Sequence, residues 1–165
     1  MVQAATEGQV TKHDVGVQWG YRQPAVTVDS IVTRVNQQGK HEILLITRAG
    51  EPFVGMYAFP GGFVDDYEEP KVACVRELQE ECGVSGYEPE LITVAGKPDR
   101  DPRKHVISIV YSVQIPADAN IQAMDDAATA SWYDLETVWG TFEFAFDHKD
   151  ILREFLEKKQ LIELN

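Results

Sequence analysis

Three glutamates lie close together in a segment whose other residues predict a helix. Glu77, Glu80 and Glu81 have the i, i+3 and i+4 spacing that places side chains next to one another on a helix surface. Each like-charge pair at this spacing costs a few tenths of a kcal/mol. Several carboxylates that converge provide the hard oxygen ligands that Mg²⁺ or Mn²⁺ prefers. The cluster indicates a divalent metal site, and the alternative is an ordinary solvated helix face.

The helix that carries these acids has sequence signals at both ends. Pro70 takes a favoured first-turn position, and Gly83 is a typical C-terminal stop. On a helical wheel the apolar residues share one side, namely Val72, Val75, Leu78 and Cys82. The three glutamates fall roughly opposite, so the pattern predicts an apolar core face and an acidic outer face.

Runs of β-branched and apolar residues predict the strands that position this helix. Residues 25–35 and 41–48 are separated by the turn-like sequence NQQGK and predict a hairpin. Further runs predict strands at residues 90–96, 105–115 and 128–135. Residues 147–159 predict an amphipathic helix with Asp147 as its N-cap. Strands mixed with two helices predict an α/β fold with a sheet covered on both faces.

Length and composition are those of one globular domain. The chain has 165 residues, of which 44% are hydrophobic, and no apolar run approaches the roughly 18 residues that cross a bilayer. Residues 1–22 are polar without clear periodicity and predict an N-terminal extension to a domain of residues 23–165. The N-terminus lacks the features of a secretory signal, so we expect a cytoplasmic protein without a membrane partner.

The net charge argues against one class of partner, and the cysteine spacing argues against a disulfide. The formal net charge of −12 argues against a nucleic-acid partner, because phosphate backbones are bound by basic faces. Cys74 and Cys82 are eight residues apart on the predicted helix, which separates their Cα atoms by about 12 Å. That distance is too long for a disulfide, so we expect two small core residues.

The residues around the glutamates match a longer motif. Gly62, five residues, Glu68, seven residues and the run RELQEECGV at residues 76–84 fit the pattern G-x5-E-x7-R-E-U-x-E-E-x-G-U, where U is aliphatic. This stretch resembles the Nudix box at every fixed position. The segments YAFPGGFVDD, SWYDLETV and FAFDHKDIL are also similar to parts of family members, so the resemblance extends over most of the chain from residue 24 onward.

The resemblance implies a fold, a reaction and a set of metal ligands. Nudix proteins share an α/β/α sandwich with a mixed β-sheet between helices, and most hydrolyse a nucleoside diphosphate linked to another group with Mg²⁺ or Mn²⁺. By match to the motif, the metal ligands are Glu77, Glu80 and Glu81, helped by a backbone carbonyl of Gly61 or Gly62. Arg76 is expected to pair with Glu68 or Glu80 and to fix their rotamers.

The base that activates water has two candidate positions. Family members take it either from the box helix or from a separate acidic loop. Glu77 is the candidate on the helix, and Asp125 and Asp126 are the candidates in the loop QAMDDAAT. The two aspartates could equally be turn formers.

A basic segment in this acidic chain indicates the substrate class. Residues 96–105 contain Lys97, Arg100, Arg103 and Lys104. Arginine suits bidentate phosphate contacts, so Arg100 or Arg103, together with Arg48, are candidates for binding a diphosphate; a solvated surface loop is the alternative. The segment resembles the loop of Nudix enzymes that act on ADP-ribose, which implies hydrolysis to AMP and ribose 5-phosphate.

Other functions and partners stay open from the sequence. A house-cleaning hydrolase of (d)NTPs or other nucleotide sugars is one alternative, and a non-catalytic ADP-ribose-sensing Nudix module is another. Many relatives are dimers, so the resemblance also implies a possible homodimer. An adenine ring needs an apolar slot, for which Trp19, Tyr21, Phe53 and Tyr57 are available. We expect His148 to be an ordinary first-turn residue of the last helix.

Overall fold

The computed structural model describes residues 23–125 and 127–161. Its elements follow one another in the order β1 (Ala25–Ile31), β2 (Thr33–Val35), β3 (His41–Arg48), β4 (Tyr57–Ala58), β5 (Gly61–Phe63), α1 (Pro70–Cys82), β6 (Tyr87–Ala95), β7 (Val106–Gln114), β8 (Ala127–Asp134), α2 (Leu135–Thr141) and α3 (His148–Lys159). None of the helices in these residues is long and apolar enough to cross a bilayer.

The strands form two four-stranded sheets. The first has the order β5-β1-β7-β6; its central pair, β1 and β7, is parallel, and its outer pairs are antiparallel. In the second, β3 pairs antiparallel with β2, β4 and β8. The parallel pair makes the strand arrangement mixed, as the family resemblance implies.

Alternating side chains of β3 divide the interior into two cores. Leu44 and Ile46 join the core that contains the buried residues of α1, whereas Ile43 and Leu45 join the core that contains those of α2 and α3. Successive residues of a strand point to opposite faces, so the strands form a layer with helices on both sides. The predicted α/β/α sandwich is confirmed.

The prediction of one strand across residues 25–35 is wrong. The chain leaves the first sheet after Ile31 and enters the second at Thr33, and only β2 forms the predicted hairpin with β3. Ile31 and Val32 are both fully buried, because the chain passes between the two sheets there. A continuous β-branched run does not reveal such a crossing, since both strands have the same composition.

Helix α1 has the predicted ends but a different buried face. Pro70 is its first residue, and Gly83 adopts the left-handed conformation at its C-terminus. Val72 is 56% exposed, however, whereas Glu81 is only 6% exposed. The other buried residues are Ala73, Cys74, Leu78 and Cys82, and both cysteines are free, as expected. The wheel prediction is therefore wrong for Val72 and Glu81, because small residues allow this face to lie close to the sheet.

Two features near the ends of α2 and α3 also differ from the sequence prediction. Asp147 stands at the N-cap position of α3, but its side chain makes no capping bond. Helix α2 was not predicted; its N-cap is Asp134, whose carboxylate accepts a hydrogen bond from the Thr137 N–H at 3.0 Å. Strands β4 and β5 were not predicted either, since two or three residues give no periodicity.

Two glycine substitutions, expected to change the free energy of unfolding in opposite directions, test the backbone assignments. Gly83→Ala should lower the free energy of unfolding by about 1–2 kcal/mol, because φ is +70° and an added Cβ is strained there. Gly140→Ala should raise it by about 0.5–1 kcal/mol, because Gly140 lies in α2 with open space around its Cβ position. Urea unfolding of both variants and the unchanged protein measures the two shifts. A loss in Gly140→Ala would contradict the helical assignment of that residue.

Candidate active site

Arg76 is the centre of the acidic cluster. Its Nε and Nη2 donate to the two carboxylate oxygens of Glu68, both at 2.8 Å. Its Nη1 donates to Glu77 at 2.8 Å and to Glu80 at 2.9 Å, and Nη2 also reaches the Phe63 carbonyl at 3.0 Å. Hydrogen bonding to Arg76 lowers the pKa of Glu68 to about 2. The guanidinium therefore offsets the repulsion among three acids.

The three box glutamates differ in their surroundings. The Glu80 side chain is 44% exposed and points to Arg76. Glu81 is buried, and its Oε2 accepts a hydrogen bond from the Gly61 N–H at 2.8 Å. Burial raises the pKa of Glu77, and the hydrogen bond from Arg76 opposes that rise. The predicted outer acidic face thus separates into an outward Glu80 and an inward Glu81.

The glycine loop, residues 59–62, lies against this helix because Gly61 and Gly62 have no side chains. A Cβ on Gly61 would lie 2.1 Å from the Val28 carbonyl oxygen. A Cβ on Gly62 would lie 2.5 Å from the carboxyl group of Glu77. Neither position can hold a larger residue without displacing backbone or the carboxylate. The backbone of the loop is therefore in direct contact with the acids of α1.

The donor set at this contact suits a hard divalent cation. Glu77 and Glu81 supply carboxylate oxygens, and the adjacent glycines leave backbone that an ion can approach. Within the described ranges, however, no three Asp, Glu, His or Cys side chains are already grouped for metal binding. Arg76 holds Glu77 and Glu80 instead. Ligation by all three glutamates requires this pairing to rearrange, and it stays a prediction.

A cleft opens beside the glycine loop and carries both charge signs. Its base includes Asp29, Phe59, Glu81 and His148, and its wall includes Arg48, Arg103, Phe63 and Phe146. The carboxylate of Glu81 and two cationic side chains therefore face one space. This is the local positive charge that an anionic ligand needs in a protein of net charge −12.

The three predicted phosphate-binding arginines have different roles in the cleft. Arg48 donates from Nε to the Pro52 carbonyl at 2.7 Å, and its guanidinium carbon lies 5.0 Å from the centre of the Phe146 ring. Arg103 makes a bidentate pair with Asp101 at 3.0 and 2.7 Å and lies 5.8 Å from the same ring. Both guanidinium groups are therefore held at the cleft wall.

Arg100 is less suited than these two to contact a ligand. Its side chain is only 4% exposed, and its Nε and Nη2 donate to the carboxylate of Asp147 at 2.9 and 2.5 Å. That pair also explains why Asp147 does not cap α3. Diphosphate binding by Arg100 stays a prediction, and the geometry favours Arg48 and Arg103.

The acidic loop that was predicted to supply a base is attached to the end of α1. The Gln122 N–H donates to the Cys82 carbonyl and the Met124 N–H to the Glu81 carbonyl, both at 3.0 Å. Asp125 follows in a left-handed conformation with φ of 48°. Asp126 lies outside the described residues, so the choice among Glu77, Asp125 and Asp126 stays open.

Sequence reasoning missed the buried polar residues below the cleft. Asp29 is 7% exposed and accepts a short hydrogen bond from the Ser108 hydroxyl, 79 residues away. His148 is the first residue of α3, as expected, but it is buried and its Nε2 lies 3.6 Å from Asp29. The available signal was the polar pair Asp29 and Ser30 inside the apolar run AVTVDSI.

The two aromatic candidates for an adenine slot that the structure describes, Phe53 and Tyr57, lie in different places. Phe53 packs edge-on against Phe146 with ring centres 4.9 Å apart. Tyr57 stacks on Phe142 at 4.1 Å, in the other core. Trp19 and Tyr21 lie outside the described residues.

Comparison with known proteins identifies the family. A model described as NUDIX domain matches residues 24–155. The chain belongs to the Nudix family. An ADP-ribose pyrophosphatase of Methanocaldococcus jannaschii is 39% identical over 150 residues, which cover 91% of this Nudix chain and 83% of the relative. The predicted Nudix pyrophosphohydrolase is thereby confirmed.

A second relative and two solved structures extend the comparison. The ADPR responsive transcriptional repressor NtrR of Acinetobacter baylyi is 34% identical over 136 residues, and the match spans 81% of this Nudix chain but only 54% of the repressor. A MutT/nudix family protein from Enterococcus faecalis has a TM-score of 0.76 at 28% identity, covering 91% of this chain and 70% of that one.

The other structure combines two activities in one protein. It is a bifunctional NMN adenylyltransferase/ADP ribose pyrophosphatase from Francisella tularensis, complexed with AMP and a Mn ion. Its TM-score is 0.71 at 28% identity, and the match covers 89% of this Nudix chain and 45% of that chain. These likenesses agree with the fold described above.

The Arg76–Glu68 pair predicts a defined pH dependence of stability. The Glu68 pKa is about 2 in the folded protein against an ordinary 4.5, so the ionised carboxylate stabilises the fold fully above about pH 4.5 and that contribution is lost as the pH falls toward 2. Glu68→Gln should therefore lower stability at neutral pH, and the gap to the unchanged protein should narrow between pH 4.5 and 2. Urea titrations across this range measure the gap.

The control for this experiment is Glu157→Gln, which changes an exposed acid of α3. It should follow the unchanged protein within about 0.5 kcal/mol at every pH. A gap for Glu68→Gln that is independent of pH would show that Arg76 does not stabilise the ionised carboxylate.

Proposed function

We propose that the protein hydrolyses ADP-ribose to AMP and ribose 5-phosphate with Mg²⁺ or Mn²⁺. The observation that carries this proposal is the single cleft that Glu81, the glycine loop, Arg48 and Arg103 line together. A diphosphate has the charge and size to contact the metal-binding side and the cationic wall together. The Methanocaldococcus relative, an ADP-ribose pyrophosphatase, supports the choice of ADP-ribose.

The reaction is attack of water on one phosphorus of the diphosphate. A new P–O bond forms, the P–O–P bridge breaks, and the bridging oxygen leaves with the other phosphate while water loses its proton to a base. The divalent cation supplies positive charge to the polyanion and lowers the pKa of a bound water.

Residues of this chain would bind the metal and the diphosphate, orient the acidic side chains and accept the proton of water. Glu77, Glu80 and Glu81 would hold the metal together with a carbonyl of Gly61 or Gly62, once Glu77 and Glu80 turn away from Arg76. Before a metal binds, Arg76 orients Glu68, Glu77 and Glu80 through hydrogen bonds. Arg48 and Arg103 contact the diphosphate from the cleft wall, and Glu77, Asp125 or Asp126 accepts the proton of water.

One alternative is supported by a specific comparison. The Acinetobacter repressor is described as ADPR responsive, which favours a ligand-sensing Nudix module without turnover. This chain retains every acid of the box, and the structure keeps Glu77 and Glu81 beside the glycine loop. Those features favour hydrolysis. A cytoplasmic location, the lack of a nucleic-acid partner and a homodimer stay predictions.

A substrate panel tests the proposed function directly. AMP release should be fastest from ADP-ribose among ADP-ribose, other sugar nucleotides, NADH, diadenosine polyphosphates and (d)NTPs, and EDTA should abolish it because the metal is removed. Faster turnover of a triphosphate would replace ADP-ribose with a house-cleaning substrate. Binding of ADP-ribose without any turnover would instead support the sensing module.

Glu81→Gln tests the metal assignment. The substitution keeps an acceptor for the Gly61 N–H but removes the charge, so kcat should fall by at least about 10²-fold with little loss of folded stability. Steady-state kinetics across a Mg²⁺ titration, together with urea unfolding, measure both effects, and Glu157→Gln again serves as the matched control. Normal kcat and Mg²⁺ dependence in Glu81→Gln would remove Glu81 from the ligand set.

A further inference from the structure

The segment between α2 and α3 pairs with β4 as a short parallel ladder. The Tyr57 N–H donates to the Glu143 carbonyl at 3.1 Å, and the Ala145 N–H donates to the Tyr57 carbonyl at 2.8 Å. Tyr57 and Phe144 are accordingly bridge partners in a parallel arrangement. This ladder connects the start of α3 to the chain that leads into the glycine loop.

The next bond of the ladder is made by a side chain instead of the backbone. A regular parallel ladder would continue from the Phe59 N–H to the Ala145 carbonyl. That carbonyl instead accepts from the His148 N–H at 3.3 Å, where α3 begins. The Phe59 N–H donates to Nδ1 of His148 at 3.1 Å. The imidazole thus takes the place of a strand carbonyl.

This replacement matters because Phe59 is 1% exposed. Without Nδ1, its N–H would be buried with no acceptor from this ladder, which is costly. The ring is also held in a fixed orientation, since it stacks on the Phe59 ring with centres 4.9 Å apart and planes inclined by 12°.

The hydrogen bond at Nδ1 determines the tautomer of the His148 ring. Nδ1 accepts a hydrogen bond, so the neutral ring carries its proton on Nε2, which faces the Asp29 carboxylate at 3.6 Å. Burial lowers the pKa of His148, against the opposing effect of Asp29, and so favours the neutral ring. Asp29 is in turn held by Ser108. The imidazole is therefore buried, oriented and equipped to accept from the backbone.

The two residues after Phe59 are hydrogen-bonded at the candidate metal site. The Pro60 carbonyl accepts from the Ser30 N–H at 2.8 Å, and the Gly61 N–H donates to Glu81. Three successive residues of the glycine loop are thus bonded to α3, β1 and α1. A shift at Phe59 would move Gly61 and Gly62 relative to Glu77 and Glu81.

We propose that His148 is a positioning residue for the hydrolytic reaction. Its Nδ1 holds the glycine loop at the acids of α1, and it transfers no proton to or from the substrate. This inference rests on the proposed function, because it concerns the same site. The positioning role of His148 requires a hydrogen-bond acceptor at the Nδ1 position and does not require an imidazole ring.

Three substitutions separate these requirements. His148→Asn places an amide oxygen near the Nδ1 position and keeps the acceptor. His148→Leu has comparable bulk and no acceptor. If the leucine variant does not fold, His148→Gln provides the same test, because its amide lies one methylene farther from the backbone and so beyond the Nδ1 position. Amide hydrogen exchange of Phe59 and Gly61 in the metal-free protein, urea unfolding, and kcat and KM for ADP-ribose are measured for each.

We expect His148→Leu to exchange the Phe59 amide at least about 10-fold faster than the unchanged protein, because a buried donor has lost its partner. Its kcat should fall by about 10- to 100-fold, as for other residues that orient metal ligands, while KM changes less than about 3-fold. His148→Asn should restore slow exchange of the Phe59 amide and return kcat to within about 5-fold of the unchanged protein.

Two results would overturn the proposal. One is a folded His148→Leu variant with a protected Phe59 amide and unchanged kcat. The other is a His148→Asn variant with a protected Phe59 amide and a kcat as low as that of His148→Leu, which would assign the ring to proton transfer. If another panel substrate is turned over faster than ADP-ribose, only the substrate assignment fails, and the same comparison is made with that substrate. A complete lack of turnover would overturn both proposals.

Discussion

The contact between the glycine loop and the acidic end of α1 is the constraint on which the rest of the site depends. It requires bare backbone at Gly61 and Gly62, because a Cβ at either position would overlap the Val28 carbonyl or the Glu77 carboxylate. It also requires a helix face narrow enough to approach the sheet, which Ala73 and Cys74 provide. The buried Glu81 is acceptable in this environment because the Gly61 N–H donates to it.

Charge compensation makes the acidic cluster compatible with a stable fold. Arg76 contacts three glutamates with one planar guanidinium, an arrangement that a lysine could not reproduce with the same geometry. Among the residues that line the cleft, Arg103 is paired with Asp101, and Arg100 is paired with Asp147. The cleft is therefore lined by cationic and anionic side chains together.

The two cores meet at this site. Helix α1 belongs to one core and α3 to the other, and the segment from Phe59 to Gly62 touches both helices through His148 and Glu81. Packing on either side of the sheet layer therefore influences the same four residues. His148 at the start of α3 accepts the hydrogen bond from the Phe59 N–H. The Ala145 carbonyl does not accept it, because that carbonyl bonds to the His148 N–H where the helix begins.

The sequence by itself determined the features that rest on local spacing. The box residues identified the family, Pro70 and Gly83 bounded α1, and strong β-branched runs located β3, β6, β7 and β8 to within a few residues. The tertiary structure alone decided which charged residues are buried and what they contact. Asp29 with Ser108, Arg100 with Asp147, and Phe59 with His148 are pairs separated by 79, 47 and 89 residues. No periodicity encodes such pairs, because they exist only once the sheets have brought distant strands and helix ends together.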